Sequence, residues 1–237
     1  MSQAFVAAFD LDDTLYPELE FVRSGFSAVA RYVARDAGQP ASVLYSHMLQ
    51  SLGATGRGLQ FDQLIDAYQL NSTVPELVGI YRAHQPKIRL PDPSRRVLQE
   101  LRAAGVHLYL VTDGDPSVQR SKVAALGLEE QLDGVICTWD EGAGSGKPSA
   151  RGFLRLLEFA RVSANRLVYV ADNPAKDFIA VNAIGGRTIR VCDGPHEGIE
   201  PPSQQHAPTV EVQCLRDVVP IVISFAQDRS PERLAND

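Results

Sequence analysis

Phe5-Val-Ala-Ala-Phe9, running directly into Asp10-Leu-Asp-Asp-Thr-Leu15, is the stretch on which the reading of the chain turns. Five apolar residues without polar alternation describe a strand covered on both faces, the kind that occupies the middle of a parallel sheet. The strand runs out into Asp10, Asp12 and Asp13. Carboxylates crowded at the carboxyl end of such a strand repel one another, which points to a bound cation or a shared proton unless Asp10 or Asp13 simply caps a helix. An isolated Asp-x-Asp does not decide between these, so the other strand ends must.

Working outward, Tyr16-Pro17 breaks the strand pattern. Leu19, Val22, Phe26, Val29 and Val33 then recur at helical spacing, with Phe21, Gly25, Ala28 and Tyr32 as a second stripe beside them. The pattern stays helical to about residue 86, over 43–52, 64–70 and 74–81, with breaks at 53–58 and 71–73. This predicts a module of about four short helices inserted after the first strand. Pro86, Pro91 and Pro93 mark a linker, with Asp92 or Ser94 as the cap of the next helix.

Beyond the linker, helix and strand alternate. Helices are predicted around 97–101 and over 116–126, 152–160 and 175–184; strands over 106–111, 135–137, 167–171 and 188–191. An edge strand at 209–212 and a last helix at 215–225 follow. Such alternation implies α/β architecture, a doubly wound parallel sheet of Rossmann-like form. The expected division is a core of residues 1–16 and 88–226, a helical domain of 17–87 and a flexible tail at 227–237.

Composition narrows the function. The chain has 237 residues, 44% hydrophobic and 22% charged, ordinary for a globular protein. A net charge of -6 argues against a non-specific nucleic-acid binder, so any phosphate site must be built locally. No apolar run approaches a membrane span, and the first residues carry neither a basic region nor a cleavage site, so a cytoplasmic protein is expected. Cys137, Cys192 and Cys214 are widely spaced beside apolar stretches and read as small buried hydrophobes. Nothing in the pattern sets an oligomeric state.

In a doubly wound sheet, working groups gather at the carboxyl ends of the strands. The first ends in Asp10, Asp12 and Asp13, and the second in Thr112-Asp113-Gly114. The third leads to Gly146-Lys147-Pro148, and the fourth ends in Asp172-Asn173-Pro-Ala-Lys-Asp177. Each has a bland reading by itself: a strand-end hydroxyl, a solvated lysine, a helix-capping acid. Together they put acids, a hydroxyl and a lysine at one end of the sheet. Gly142-Ala-Gly-Ser-Gly-Lys147 superficially suggests a nucleotide-binding loop, but its first glycine is one position too close and Pro148 stands where Ser or Thr would bind Mg²⁺.

The order and spacing of these four elements, from about residue 5 to 191, resemble the haloacid dehalogenase-like superfamily of phosphatases and phosphotransferases, in the subclass with a helical cap after the first strand. Ala171 precedes Asp172 where many members carry glycine. The resemblance implies that Asp10 is the nucleophile, forming an aspartyl-phosphate, and Asp12 the general acid and base. It makes Thr112, the amides of Asp113 and Gly114, and Lys147 the holders of the phosphate, with Asn173 and Asp177 in support. It implies Mg²⁺ on Asp10, Asp172 and the backbone carbonyl of Asp12. An acid at position 12 suits phosphatases and phosphomutases and disfavours dehalogenases. The expected substrate is a small phosphate ester, a sugar phosphate or nucleoside monophosphate. Tyr16-Pro17 and Asp172-Asn-Pro174 look somewhat like pyrimidine 5'-nucleotidases. Cap residues that could face a substrate are Glu18, Phe21, Arg23, Arg57, Tyr81 and Lys87, with Arg23 foremost. A phosphomutase and a non-catalytic binding protein on the same scaffold are the competing readings.

Overall fold

A computed structural model describes residues 4–227 and divides them into two compact units, one of residues up to Pro17 and from Arg89 onward, the other Glu18–Ile88. The first holds a single six-stranded sheet in the order β3-β2-β1-β4-β5-β6, every pair parallel. Its strands are β1 (Val6–Phe9), β2 (His107–Thr112), β3 (Gly134–Cys137), β4 (Leu167–Ala171), β5 (Arg187–Val191) and β6 (Val210–Val212). This is the Rossmann order, which changes direction between β1 and β4 and opens a crevice there. β1 and β4 are buried along their whole length, consistent with their unbroken apolar runs. Phe9 pairs level with Leu110 and Val170, so the residues leaving β1, β2 and β4 emerge side by side.

The connecting helices are α5 (Asp92–Ala103), α6 (Pro116–Ala125), α7 (Arg151–Ala160), α8 (Ile179–Ala183) and α9 (Val218–Ala226). Phe153 and Leu156 of α7 pack with Val6, Ala8, Val111, Tyr169 and Phe178 in one continuous core. Full burial of each large apolar side chain of this kind contributes about 1.5–3 kcal/mol. α6 starts where its chemistry says it should: Pro116 is its first residue, and the Asp115 carboxylate accepts from Ser117 N at 2.9 Å.

The second unit is all helical: α1 (Glu18–Val33), α2 (Ala41–Thr55), α3 (Gln60–Tyr68) and α4 (Val74–Ala83). Val22, Phe26, Val29 and Val33 of α1 face Leu44, Met48, Leu64 and Leu77 in its own core. α4 opens with a capping box between Thr73 and Glu76. Phe21, a candidate substrate-facing residue by sequence, is 2% exposed and packs edge-on against Tyr81 at 5.5 Å.

Three local expectations are corrected. Neither Asp92 nor Ser94 is the cap: Pro91 holds that position with no side-chain capping bond, Asp92 is already the first residue of α5, and the buried Ser94 hydroxyl donates to Leu15 O at 2.7 Å. α8 covers Ile179–Ala183 rather than 175–184, because 173–178 is a turn with the Asn173 side chain accepting from Ala175 N and Asp177 from Asn173 N, each at 3.0 Å. Cys137 and Cys192 are buried, but Cys214 is half-exposed along a groove of about 450 Å³ that it shares with Tyr16, Pro91 and Pro195. The tail expected at 227–237 lies outside the described residues apart from Gln227. Among the described residues, no helix is long and apolar enough to cross a membrane.

Candidate active site

Asp10 is the first residue beyond β1, and its backbone N–H donates to Val170 O at 2.9 Å, which ties it to β4. Its carboxylate, 4% exposed, stands 2.9 Å from Lys147 Nζ. Lys147 comes from the connection between β3 and α7, where the chain passes so close to Trp139 that a Cβ on Gly146 would lie 2.6 Å from the indole nitrogen. The same ammonium is 2.7 Å from Asp177 Oδ1 and donates to the Tyr169 hydroxyl at 2.8 Å. Tyr169 in turn donates to Val111 O at 3.2 Å.

The electrostatics follow from burial and from this pairing. Burial works to lower the Lys147 pKa, but Asp10 and Asp177 together outweigh it and hold the ammonium well above its ordinary value. Burial likewise works to raise Asp10, yet Lys147, aided by Lys176, carries it below the usual carboxylate range. Asp177 moves the other way: burial raises it, against the pull of Lys147. Asp172, the first residue past β4, is pushed up to about 6 by burial and then by the charge of Asp10, against a hydrogen bond from His196. Its oxygens meet Thr14 Oγ1 at 3.2 Å and His196 Nδ1 at 2.6 Å.

Oxygens of Asp10, Asp172 and Asp177 lie within 4.8 Å of one another, and ligand atoms of Asp13, Asp172 and His196 form a second such group. In the first group all three carboxylates are buried, and Asp10 and Asp177 share the ammonium of Lys147, an excess of buried negative charge that a cation would neutralise. An all-oxygen donor set suits a hard ion such as Mg²⁺.

Asp12 takes a different set of partners. Lys122 Nζ lies 2.8 Å from each of its oxygens, Tyr16 OH donates to Oδ1 at 2.7 Å, and Gln119 Nε2 donates to Oδ2 at 3.2 Å. The side chain is therefore not in either acid group, and only its backbone carbonyl remains as the ligand expected of it. Thr112, 1% exposed, accepts from Gln119 Nε2 at 2.5 Å. The Asp113 carboxylate is turned to its own surroundings, accepting from Thr138 Oγ1 at 2.6 Å and Lys147 N at 3.1 Å. Gly114 has φ +120, a conformation side chains rarely adopt, and turns the chain into α6. Asn173 Nδ2 lies 3.2 Å from His196 Nε2. Arg23 sits exposed on α1 in the helical unit, where Glu18 and Arg57 form an ion pair.

Lys122, Gln119, Tyr16, Tyr169 and His196 escaped the sequence reading. For Lys122 a signal existed: positions 118, 119, 122 and 123 form the buried stripe of α6, and a lysine on such a stripe must meet an acid. His196 lies in a polar loop whose pattern carries no information.

Comparison with known proteins bears on the family and the fold. A family model for haloacid dehalogenase-like hydrolases matches residues 6–185. A glyceraldehyde 3-phosphate phosphatase of Methanocaldococcus jannaschii is 31% identical over 230 residues, covering 93% of this chain and 97% of the relative. Among solved structures, a HAD phosphatase of Thermococcus onnurineus superposes with TM-score 0.60 at 21% identity, over 92% of this chain and 97% of the other. A 2-haloacid dehalogenase of Pseudomonas syringae does so with TM-score 0.63, also at 21% identity, over 94% and 99%. The fold is thus shared by enzymes of two chemistries, and the residues must decide between them.

Proposed function

Because the chain belongs to the haloacid dehalogenase-like hydrolase family, we propose that it is a Mg²⁺-dependent phosphatase that hydrolyses a small phosphomonoester through an aspartyl-phosphate on Asp10. The observation that carries this reading is the buried Asp10 carboxylate, held ionised 2.9 Å from Lys147 and grouped with Asp172. An ionised carboxylate buried at a strand end beside an ammonium is poised as a nucleophile.

Asp10 attacks phosphorus while the ester oxygen departs, and Asp12 gives that oxygen its proton. Asp12 then takes a proton from the water that attacks the aspartyl-phosphate, releasing inorganic phosphate and restoring Asp10. Thr112 and the amides of Asp113 and Gly114 hold phosphoryl oxygens, and Lys147 places a positive charge beside them. Asp10, Asp172 and the Asp12 carbonyl would hold Mg²⁺, which when bound offsets the repulsion between a carboxylate and a phosphate dianion. The helical unit is assigned the role of cap, and Arg23 the choice of substrate. An acid at position 12 separates this reaction from dehalogenation, which needs no proton delivered to an alkoxide. The likeness to a glyceraldehyde 3-phosphate phosphatase supports a three-carbon sugar phosphate as the first candidate substrate to test.

Phosphate release from glyceraldehyde 3-phosphate, a nucleoside monophosphate and an aryl phosphate, with Mg²⁺ or EDTA, tests this reading. Metal-dependent release is expected from wild type and a loss of at least roughly a thousandfold from Asp10→Asn. A folded wild-type protein that releases no phosphate from any of them overturns the reading, and phosphoryl transfer between sugar hydroxyls without release identifies a mutase instead.

A further inference from the structure

We infer that Lys122 is a positioning residue for the reaction: it aims the Asp12 carboxylate, so that proton transfer at the ester oxygen depends on a lysine acting through Asp12. The inference rests on the phosphatase reading above. Lys122 and Lys147 are the two buried lysines among the described residues, and they are divided between the two acids of Asp10-Leu-Asp12. Lys147 stands against Asp10. Lys122, its side chain 4% exposed, reaches from α6 to lie 2.8 Å from both oxygens of Asp12.

A contact shared equally by both oxygens points the open edge of the carboxylate at the ammonium, and Tyr16 and Gln119, each on a different oxygen, set its plane. Gln119, one helical turn earlier, completes the arrangement: its amide bridges Thr112 Oγ1 at 2.5 Å and Asp12 Oδ2 at 3.2 Å, linking the acid to a phosphate-holding hydroxyl. Tyr16 OH, on the other oxygen at 2.7 Å, closes the set. Asp12 therefore receives two contacts on each oxygen, about as many as a carboxylate's lone pairs can take. To serve the ester oxygen it must surrender one of them. Tyr16 and Gln119 are neutral donors and are the ones to give way, while Lys122 keeps its contact and acts as the pivot about which the acid turns.

A positioning lysine and a purely structural ion pair make different predictions. If Lys122 aims the general acid, its loss hurts most where the leaving group needs a proton and least where it does not. Comparing kcat/KM of an alkyl phosphate with that of 4-nitrophenyl phosphate in wild type, Lys122→Met, Lys122→Gln and Lys122→Arg reads this directly. Lys122→Met is expected to lower kcat/KM for the alkyl ester by roughly a hundredfold and for the nitrophenyl ester by roughly tenfold or less, the order of a general acid's contribution. Lys122→Gln, which can still donate to one oxygen and guards against loss of folding, should show the same imbalance to a smaller degree. Lys122→Arg, able to grip both oxygens, should restore the wild-type ratio. An equal fall for both esters, no fall, or a rise in the rate for the alkyl ester would overturn the inference while leaving the phosphatase reading intact. A wild-type protein inactive on both esters would overturn the two together.

Discussion

Lys147 and Asp177 show what one buried pair has to accomplish. Both side chains are fully enclosed, and the 2.7 Å contact between them leaves the ammonium free to approach Asp10 from its other side. Asp177 also accepts from Asn173 N at 3.0 Å, so the acid that restrains the lysine also holds the turn that carries Asp172. Removing one charge from such a pair leaves the other buried and uncompensated, a loss of about 3–5 kcal/mol. Asp177→Asn keeps the shape and removes the charge. Its midpoint in urea should fall by an amount equivalent to about 3 kcal/mol, and phosphate release should fall with it. A variant that unfolds like wild type would show that Lys147 is adequately neutralised by Asp10 alone.

Helix boundaries and side-chain commitments respond to forces that a linear pattern records unevenly. β1 and β4 could be read to within a residue because burial on both faces leaves an unbroken apolar run. α8 could not, since Asp177 and Asn173 spend their side chains on the turn and delay the helix to Ile179. Acids at strand ends were visible because charge is rare there, whereas Lys122 and Tyr169 acquire their partners only when distant strands are laid side by side. The closure of α1 against the segment after α4 is another such case. His84 Nδ1 faces Tyr81 O at 2.5 Å, so that nitrogen carries the proton; Nε2 accepts from Ser24 Oγ at 3.1 Å, and the same Ser24 oxygen accepts from Lys87 N at 2.8 Å. Burial lowers the His84 pKa, with Arg31 adding to the effect against the Tyr81 carbonyl. A histidine whose folded pKa is depressed binds its proton more readily when unfolded. Its contribution is therefore whole above the unfolded value, near 6.5, and is lost as the pH falls from there toward the folded value. Urea unfolding followed through the helical unit at pH 7.5 and 5.5 should show a steeper loss for wild type than for His84→Gln. Equal losses would mean that His84 is neutral in neither state's favour.

The order β3-β2-β1-β4-β5-β6 explains why residues separated by more than a hundred positions meet. Its direction changes between β1 and β4, so Asp10 and Asp172 leave adjacent strands into one crevice, and Thr112 leaves the next strand over. What the fold assembles there is an excess of buried negative charge: burial and then Asp10 push Asp172 up to about 6, against the hydrogen bond from His196. A ligand that binds the folded chain alone stabilises it by mass action, by about 2.7 kcal/mol at a hundredfold excess over its dissociation constant. Mg²⁺ is accordingly expected to raise the thermal midpoint relative to EDTA, with no substrate present. The variants then sort the acids by the job each does. Asp172→Asn should abolish the Mg²⁺-induced shift, because it removes a carboxylate from the cluster of Asp10, Asp172 and Asp177. Asp12→Asn should keep most of the shift while losing turnover, because the Asp12 side chain is committed to Lys122, Gln119 and Tyr16 and lies in neither acid group. The reverse result, a shift that survives Asp172→Asn and vanishes in Asp12→Asn, would place the ion on the Asp12 carboxylate and require that side chain to leave Lys122 whenever metal binds.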